Sequence, residues 1–420
     1  MSKQNSPLVL GTERISKLLT QYAIPAIIAM TASSLYNMAD SIFIGHGVGP
    51  LAISGLALTF PLMNLAAAFG SLVGVGASTL VSVKLGQKDY EGANKVLGNV
   101  LVLNVVLGLA FTLVFMLLLD PILYFFGASE NTISYARDYM NVILIGNVIT
   151  HMYLGLNAVL RSSGFPKLAM YATLASVVIN CVLNPLFIFG FGWGIKGSAW
   201  ATVISQVISL TGQLIHFSRP KELLHFKKGI YRLKSEIVKG ILYIGMSPFL
   251  MNLCACLIVI LINRGLKEHG GDMAIGAYGI VNRVVFLFIM IIMGFNQGMQ
   301  PIAGYNFGAR QYSRVTEVTK LTMKWAIGVA TTGFLLCQLF PSVIVRMFTT
   351  DPELIEAAVY GLHIVFAVFP IVGFQMVATN FFLSIGMSKQ AIFLSLTRQM
   401  LFLVPCLLIL PRWFGTLGVW

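Results

Sequence analysis

The 420 residues predict an all-α polytopic membrane protein, and three observations carry that reading. Hydrophobic side chains make up 57% of the chain and charged ones only 10%. Mean hydropathy is +0.83. The apolar residues fall in long runs separated by polar or Gly/Pro connections. A soluble domain has nothing behind which to hide so many runs, whereas a bilayer accepts each one that reaches about 20 residues.

Taken in order, the runs predict helices at 18–44, 51–83, 96–119, 132–160, 168–190, 198–217, 240–263, 273–303, 318–345, 354–382 and 390–410. Lys3, Arg14 and Lys17 precede the first run, which is too long for a signal peptide and lacks a small-residue cleavage site; it reads as a retained first span. The five cysteines lie in apolar segments with no metal-type spacing, so they read as small core side chains and no metal site is expected.

A net charge of +13 could suggest nucleic acid. Its placement argues against that. With the N-terminus inside, most of the 28 Lys and Arg residues fall in inner connections and adjoining helix ends, while the outer ones hold Arg137, Lys196, Arg264, Lys267, Arg346 and Arg412. The positive-inside rule therefore predicts a cytoplasmic N-terminus in a bacterial inner membrane. Arg283 is the base read as lying within a span, expected to pair with backbone carbonyls or an amide.

One offset of 222 residues relates the two halves of the chain. Leu51-Ala52-Ile53-Ser54-Gly55 recurs as Met273-Ala274-Ile275-Gly276-Ala277. Gly76, Gly86, Lys88 and Tyr90 recur as Gly298, Gly308, Arg310 and Tyr312, and Gly164 and Lys167 as Gly386 and Lys389. An even number of spans separates each residue from its counterpart, so the halves share one orientation, about an axis along the membrane normal. The expected division is a first lobe at 1–217, a basic cytoplasmic linker at 218–239 lying along anionic headgroups, and a second lobe at 240–420. Gly415-Thr416-Leu417-Gly418 resembles Gly194-Ile195-Lys196-Gly197, so a twelfth helix is expected to follow Trp420.

Asp40 is the single charge between Leu18 and Gly45. An ionisable group at membrane depth is expensive and is retained for transport chemistry; the blander alternative is a hydrated acid near a helix mouth. Ser33, Tyr36 and Asn37 can share its helix face. Depth then places Tyr139, Asn180, Asn184 and Thr202 at the level of Asp40, a set of oxygens suited to a proton or to Na⁺. Taken singly, each Asn or Thr is an ordinary interhelical hydrogen-bonding residue. Pro25 and Pro185 interrupt the first and fifth spans as candidate hinges. In the second half, Asn282, Arg283, Gln297 and Gln300 could face a substrate cavity with no acid beside them; helix packing is the alternative. Nineteen Met residues and 11% aromatic residues fit adaptable binding of organic cations, although core and lipid-facing packing accounts for most of them.

The segments Tyr36-Asn37-Met38-Ala39-Asp40-Ser41-Ile42-Phe43-Ile44-Gly45, Asn180-Cys181-Val182-Leu183-Asn184-Pro185-Leu186-Phe187-Ile188-Phe189-Gly190 and Gln297-Gly298-Met299-Gln300-Pro301-Ile302-Ala303-Gly304-Tyr305-Asn306-Phe307-Gly308-Ala309 resemble the multidrug and toxic compound extrusion (MATE) family, on its MepA-like and DinF-like branch. The resemblance covers essentially the whole chain. It implies two six-helix bundles, export of cationic amphipathic compounds, and coupling to inward H⁺ or Na⁺ flow. It also implies that Asp40, Tyr139, Asn180 and Thr202, with Asn157, belong to the coupling network. Asn184 stands where the family often has an aspartate, and the second half lacks the acids that some members carry there. The loss of one carboxylate favours H⁺ over Na⁺.

The expected protein is thus a monomeric antiporter working by alternating access, with small cationic substrates and membrane lipids as its partners. No nucleic acid and no cofactor beyond the coupling ion are expected. A flippase for lipid-linked precursors is the alternative, which would need several buried bases to hold a pyrophosphate. No HExxH, phosphate loop, paired acids or Ser/His/Asp set suggests an enzyme.

Overall fold

A computed structural model describes residues 7–420, except for the side chains of Pro7, Pro50, Lys267 and Asp272. Lys3, counted above among the inner bases, and the side chain of Lys267, counted among the outer ones, therefore lie outside the described structure. The described residues form helices and connections without a strand. The helices are α1 (Ile15–Gly47), α2 (Pro50–Gly86), α3 (Tyr90–Leu117) and α4, a bent pair (Ile133–Ile145 and Asn147–Ser162). There follow α5 (Pro166–Pro185), α6 (Gly194–Phe217), α7 (Ser235–Leu266), α8 (Met273–Gly308) and α9 (Tyr312–Leu339). The last are α10, another bent pair (Pro352–Ala367 and Phe369–Ser384), and α11 (Ser388–Phe414).

These helices coincide with the eleven predicted runs, with corrections. The runs at 132–160 and 354–382 are not straight: their two parts bend by 55° and 50°. By length and apolarity 7 helices can cross a membrane, or up to 9 with each bent pair taken as one span. The two that fall short are α6 and α9. Their composition is the reason, since α6 carries Ser, Thr and Gln along its length and α9 carries Arg314, Glu317, Lys320 and Lys324. Arg398, one of the bases the sequence reading places among the inner connections and adjoining helix ends, lies well inside α11.

Local chemistry sets the helix starts. Asp89 caps α3 by accepting from the Gly92 N–H at 2.8 Å, and Asp351 caps α10 from Glu353 and Leu354. Pro166 and Pro352 open α5 and α10, where a missing N–H costs no helical hydrogen bond. At the other end of α5, Pro185 breaks the α pattern and the backbone continues as a π turn over Leu186–Gly190. Pro25 is buried inside α1. Between α7 and α8 the chain turns at Gly271, with φ of 62°.

No helix joins Phe217 to Ser235, so α7 begins inside the segment expected to be linker. Two buried amides on α3 hold that stretch. Asn94 donates to the Leu223 carbonyl and accepts from the His225 N–H, while Asn99 donates to Ile230 and Arg232 carbonyls and accepts from the Lys234 N–H.

The halves meet through α1 and α2 on one side and α7 and α8 on the other, and their contacts repeat with the sequence. A Cβ on Gly86 would stand 1.9 Å from the Tyr305 carbonyl oxygen, and one on Gly308 would stand 2.1 Å from that of Val83. Gly76 lies as tightly against Ile241, and its counterpart Gly298 against Ala23. Only glycine permits backbones this close. Lys88 and Arg310, also counterparts, both take the left-handed conformation just beyond these helix ends. At the same end Arg314 donates to the carbonyls of Leu10 and Glu13 at 3.1 and 2.6 Å, and Asn306 donates to Leu10 at 3.0 Å, tying the segment before α1 to α8 and α9.

The end of the molecule holding Gly86 and Gly308 is therefore closed. Paired substitution to Leu (G86L/G308L) cannot be accommodated without separating α2 from α8. Spin labels placed on opposite halves at that end should lie farther apart in the double variant, by several ångströms. An unchanged distance distribution would show that these glycines do not set the closure.

Candidate functional site

Asp40 on α1 is 6% exposed and is the only buried carboxylate among the described residues. Its surroundings are neutral. Asn184 on α5 and Ser198 on α6 both donate to its Oδ1. Asn184 also donates to Asn180 Oδ1 at 3.3 Å, one helical turn back on α5. Asn180 donates to Thr202 Oγ1 at 3.1 Å, and the Tyr36 hydroxyl lies 2.8 Å from the same oxygen. Thr202 is one turn beyond Ser198 on α6 and donates to its carbonyl. The hydrogen bonds thus run in a closed group across three helices.

Helical spacing explains the geometry. Tyr36 and Asp40, Asn180 and Asn184, and Ser198 and Thr202 are each separated by four residues, so each pair presents two polar groups on one face of one helix. Magnitudes explain why the acid tolerates this place. An aspartate at the centre of a membrane helix costs about 2.5–3.5 kcal/mol on insertion scales, while a hydrogen bond to a charged group contributes about 1.5–3 kcal/mol. Two donors on one carboxylate oxygen are therefore enough to offset the placement. Asn184 Oδ1 is buried without a partner. It is an acceptor left over beside the carboxylate.

Of the residues expected at this level, Asp40, Asn180, Asn184 and Thr202 are joined by hydrogen bonds. Tyr139 is buried at 1% exposure in an apolar cluster with Ile44, Ile188 and Val203, and its side chain makes no hydrogen bond to the Asp40 group among the described residues. Ser198 was missed. The signal was available, because it sits one turn before Thr202, but a lone Ser among small residues reads as packing.

Asn157 belongs elsewhere. It donates to the Ala169 carbonyl at 2.9 Å and to Thr173 Oγ1 at 3.3 Å, and accepts from Arg161. From Ala169 to Asn180 the α5 rise is roughly 16 Å, so Asn157 ties α4 to α5 far from Asp40. Asn37 is exposed, and Ser33 makes no side-chain hydrogen bond among the described residues.

In the second half, Gln300 donates to Thr79 Oγ1 at 2.8 Å and Gln297 to the Met30 sulfur at 3.4 Å, so both bridge the halves. Asn282 is half-buried and Arg283 exposed, and neither side chain makes a hydrogen bond among the described residues. The expected pairing of Arg283 with a carbonyl or amide is therefore not formed. Arg398, half-buried in α11, is likewise unpaired among the described residues.

Comparison with known proteins identifies the family. The family profile described as MatE matches residues 25–186 and again 244–408. The multidrug export protein MepA of Staphylococcus aureus strain N315 is 30% identical over 409 residues, covering 96% of this chain and 89% of its own. A solved structure described as that of the MATE multidrug transporter DinF-BH, in complex with a ligand, is 39% identical with a TM-score of 0.91, covering 100% of this chain and 94% of that one. A structure described as the outward-facing conformation of a multidrug resistance MATE family transporter shares the fold, with a TM-score of 0.92 at 24% identity, covering 100% of this chain and 93% of that one. On sequence and fold together, the chain belongs to the MatE family of multi-pass membrane transporters.

Proposed function

We propose that this transporter exports cationic amphipathic compounds from a bacterial cytoplasm across the inner membrane, in exchange for an inward-moving cation held at Asp40. The observation that carries the reading is the solitary buried carboxylate in a neutral hydrogen-bonded shell. The functions named for the relatives support the export of drugs: MepA is a multidrug export protein, and DinF-BH is a multidrug transporter. Alternating access of two halves, 1–217 and 240–420, is the motion in this reading, and the close contacts at the Gly86/Gly308 end support a state closed there. The excess of Lys and Arg in the connections at that end supports reading it as the cytoplasmic one.

Occupation of Asp40 supplies the switch. An ionised carboxylate draws the donors of Asn184 and Ser198 toward it and holds α1 against α5 and α6. A bound cation competes with those donors and shifts the population between the two closures. The ion is H⁺ in this reading. Both donors converge on Oδ1, which occupies that oxygen with an N–H and an O–H. Oδ2 is left for one proton. Asn184 supplies no second negative charge, which weakens attraction for Na⁺.

Export should fail without the acid. Asp40→Asn is expected to abolish coupled efflux in vesicles and drug resistance in cells, while the purified variant keeps its thermal stability, since it removes a charge from the membrane interior. Wild-type resistance at equal expression would refute the role of Asp40.

The ion is tested separately. Efflux should follow an imposed pH gradient and be indifferent to Na⁺, and Asn184→Asp should introduce Na⁺ dependence. Efflux by the unmodified protein that tracks a Na⁺ gradient and ignores pH would overturn the proton assignment.

A second reading, a flippase for lipid-linked precursors, needs several buried bases, and the second half offers only the exposed Arg283 and the half-buried Arg398, both unpaired among the described residues. Loss of drug efflux on removing those bases would fit anchoring of an anionic cargo; undiminished efflux of organic cations in Arg283→Ala and Arg398→Ala favours the export of cations.

A further inference from the structure

One cavity takes no part in the export reading. It opens between α1 and α5 at the closed end, with a volume of about 600 Å³, and its walls include Arg14, Lys17, Ile24, Ile28, Lys167 and Met170. A second cavity of about 430 Å³ adjoins it, sharing Gln21, Lys167 and Tyr171.

Its chemistry is graded along its length. Arg14 immediately precedes α1 and Lys167 is in the first turn of α5; both are exposed, and neither closes an ion pair or side-chain hydrogen bond among the described residues. Lys17 is already paired with Glu13 at 2.9 Å. Two free cations therefore stand at the mouth. Deeper in, Ile24 and Ile28 remain 49% and 43% exposed. From Lys17 to Ile28 the helix rises roughly 16 Å, close to half the roughly 30 Å hydrocarbon thickness of a bilayer. The groove thus offers positive charge at headgroup level and an uncovered apolar wall through one leaflet.

We propose that this groove binds an anionic glycerophospholipid, its phosphate between Arg14 and Lys167 and one acyl chain along Ile24, Ile28 and Met170. Charge complementarity and depth select the occupant. A cationic drug is repelled at the mouth, and a free phosphate leaves the apolar wall uncovered. The bound chain lies beside Pro25, which lines the same cavity. It lies on the two helices that carry Asp40 and Asn184.

The test is lipid retention, which is independent of transport. The full chain is placed in nanodiscs of equal phosphatidylcholine and phosphatidylglycerol, extracted gently, and its bound lipids are counted by native mass spectrometry. Phosphatidylglycerol should be retained about fivefold over phosphatidylcholine, and the double variant R14A/K167A should bring the ratio to parity. Both side chains are exposed, so that variant should purify as a monodisperse protein. The linker variant K227A/K228A is the control and should keep the preference. Equal retention in the wild type would overturn the proposal, as would loss of the preference in the linker variant, because the attraction would then belong to the whole basic face. Displacement of the lipid by inorganic phosphate at millimolar concentration would also overturn it, by showing a site for the free anion.

Discussion

The first half of the molecule is arranged around the need to keep one carboxylate at membrane depth. Asp40 stays buried because α5 and α6 each bring a donor to the same oxygen, and those donors are themselves held by Asn180 and Thr202. The group is neutral apart from the acid, so the acid's charge state is the large electrostatic variable within this group. Each donor costs little to place because it sits on a regular helix with a partner one turn away. Removal of a single member leaves a buried polar group unpaired, which is costlier than the bond itself was worth.

A second constraint shapes the boundary between the halves. Lipid offers no hydrophobic force to drive helices together, so close packing must do it, and close packing needs small residues. The reciprocal contacts of Gly86 with Tyr305 and of Gly308 with Val83 meet that need twice over through one repeat. The contacts of Gly76 and Gly298 do the same nearer the middle. Duplication of a single half is the simplest source of such symmetry. Once the two copies share an orientation, a glycine that lets one approach the other is automatically answered by its counterpart.

Much of this was legible in the sequence for physical reasons. Long apolar runs report helices because a bilayer leaves the backbone no other way to satisfy its hydrogen bonds, and the 222-residue offset located the glycines that now meet. Asp40, Asn180, Asn184 and Thr202 were readable because polar side chains are rare at that depth. The bend within α4 was not readable, since Gly146 at the break is a weak signal, whereas the bend within α10 had an available one in Pro370, at the start of its second part. Ser198 hid among small residues, and Asn157 had the right chemistry at the wrong depth.

The two constraints share one element. α1 carries Tyr36 and Asp40 into the polar group, and on its other half it carries Ala23, Ile27 and Met30 into contact with Gly298, Gly294 and Gln297 of α8. No other helix among the described residues takes part in both. In the proposed exchange, a change in the hold on Asp40 would therefore reach the closure between the halves along α1, the helix that contains Pro25 and lacks one backbone donor there. The proline matters because a straight, fully bonded helix resists bending, whereas one missing a hydrogen bond offers two packings of similar energy. Coupling then needs no wire of special residues; it needs only that the charge state at one end of α1 favours one of those packings over the other.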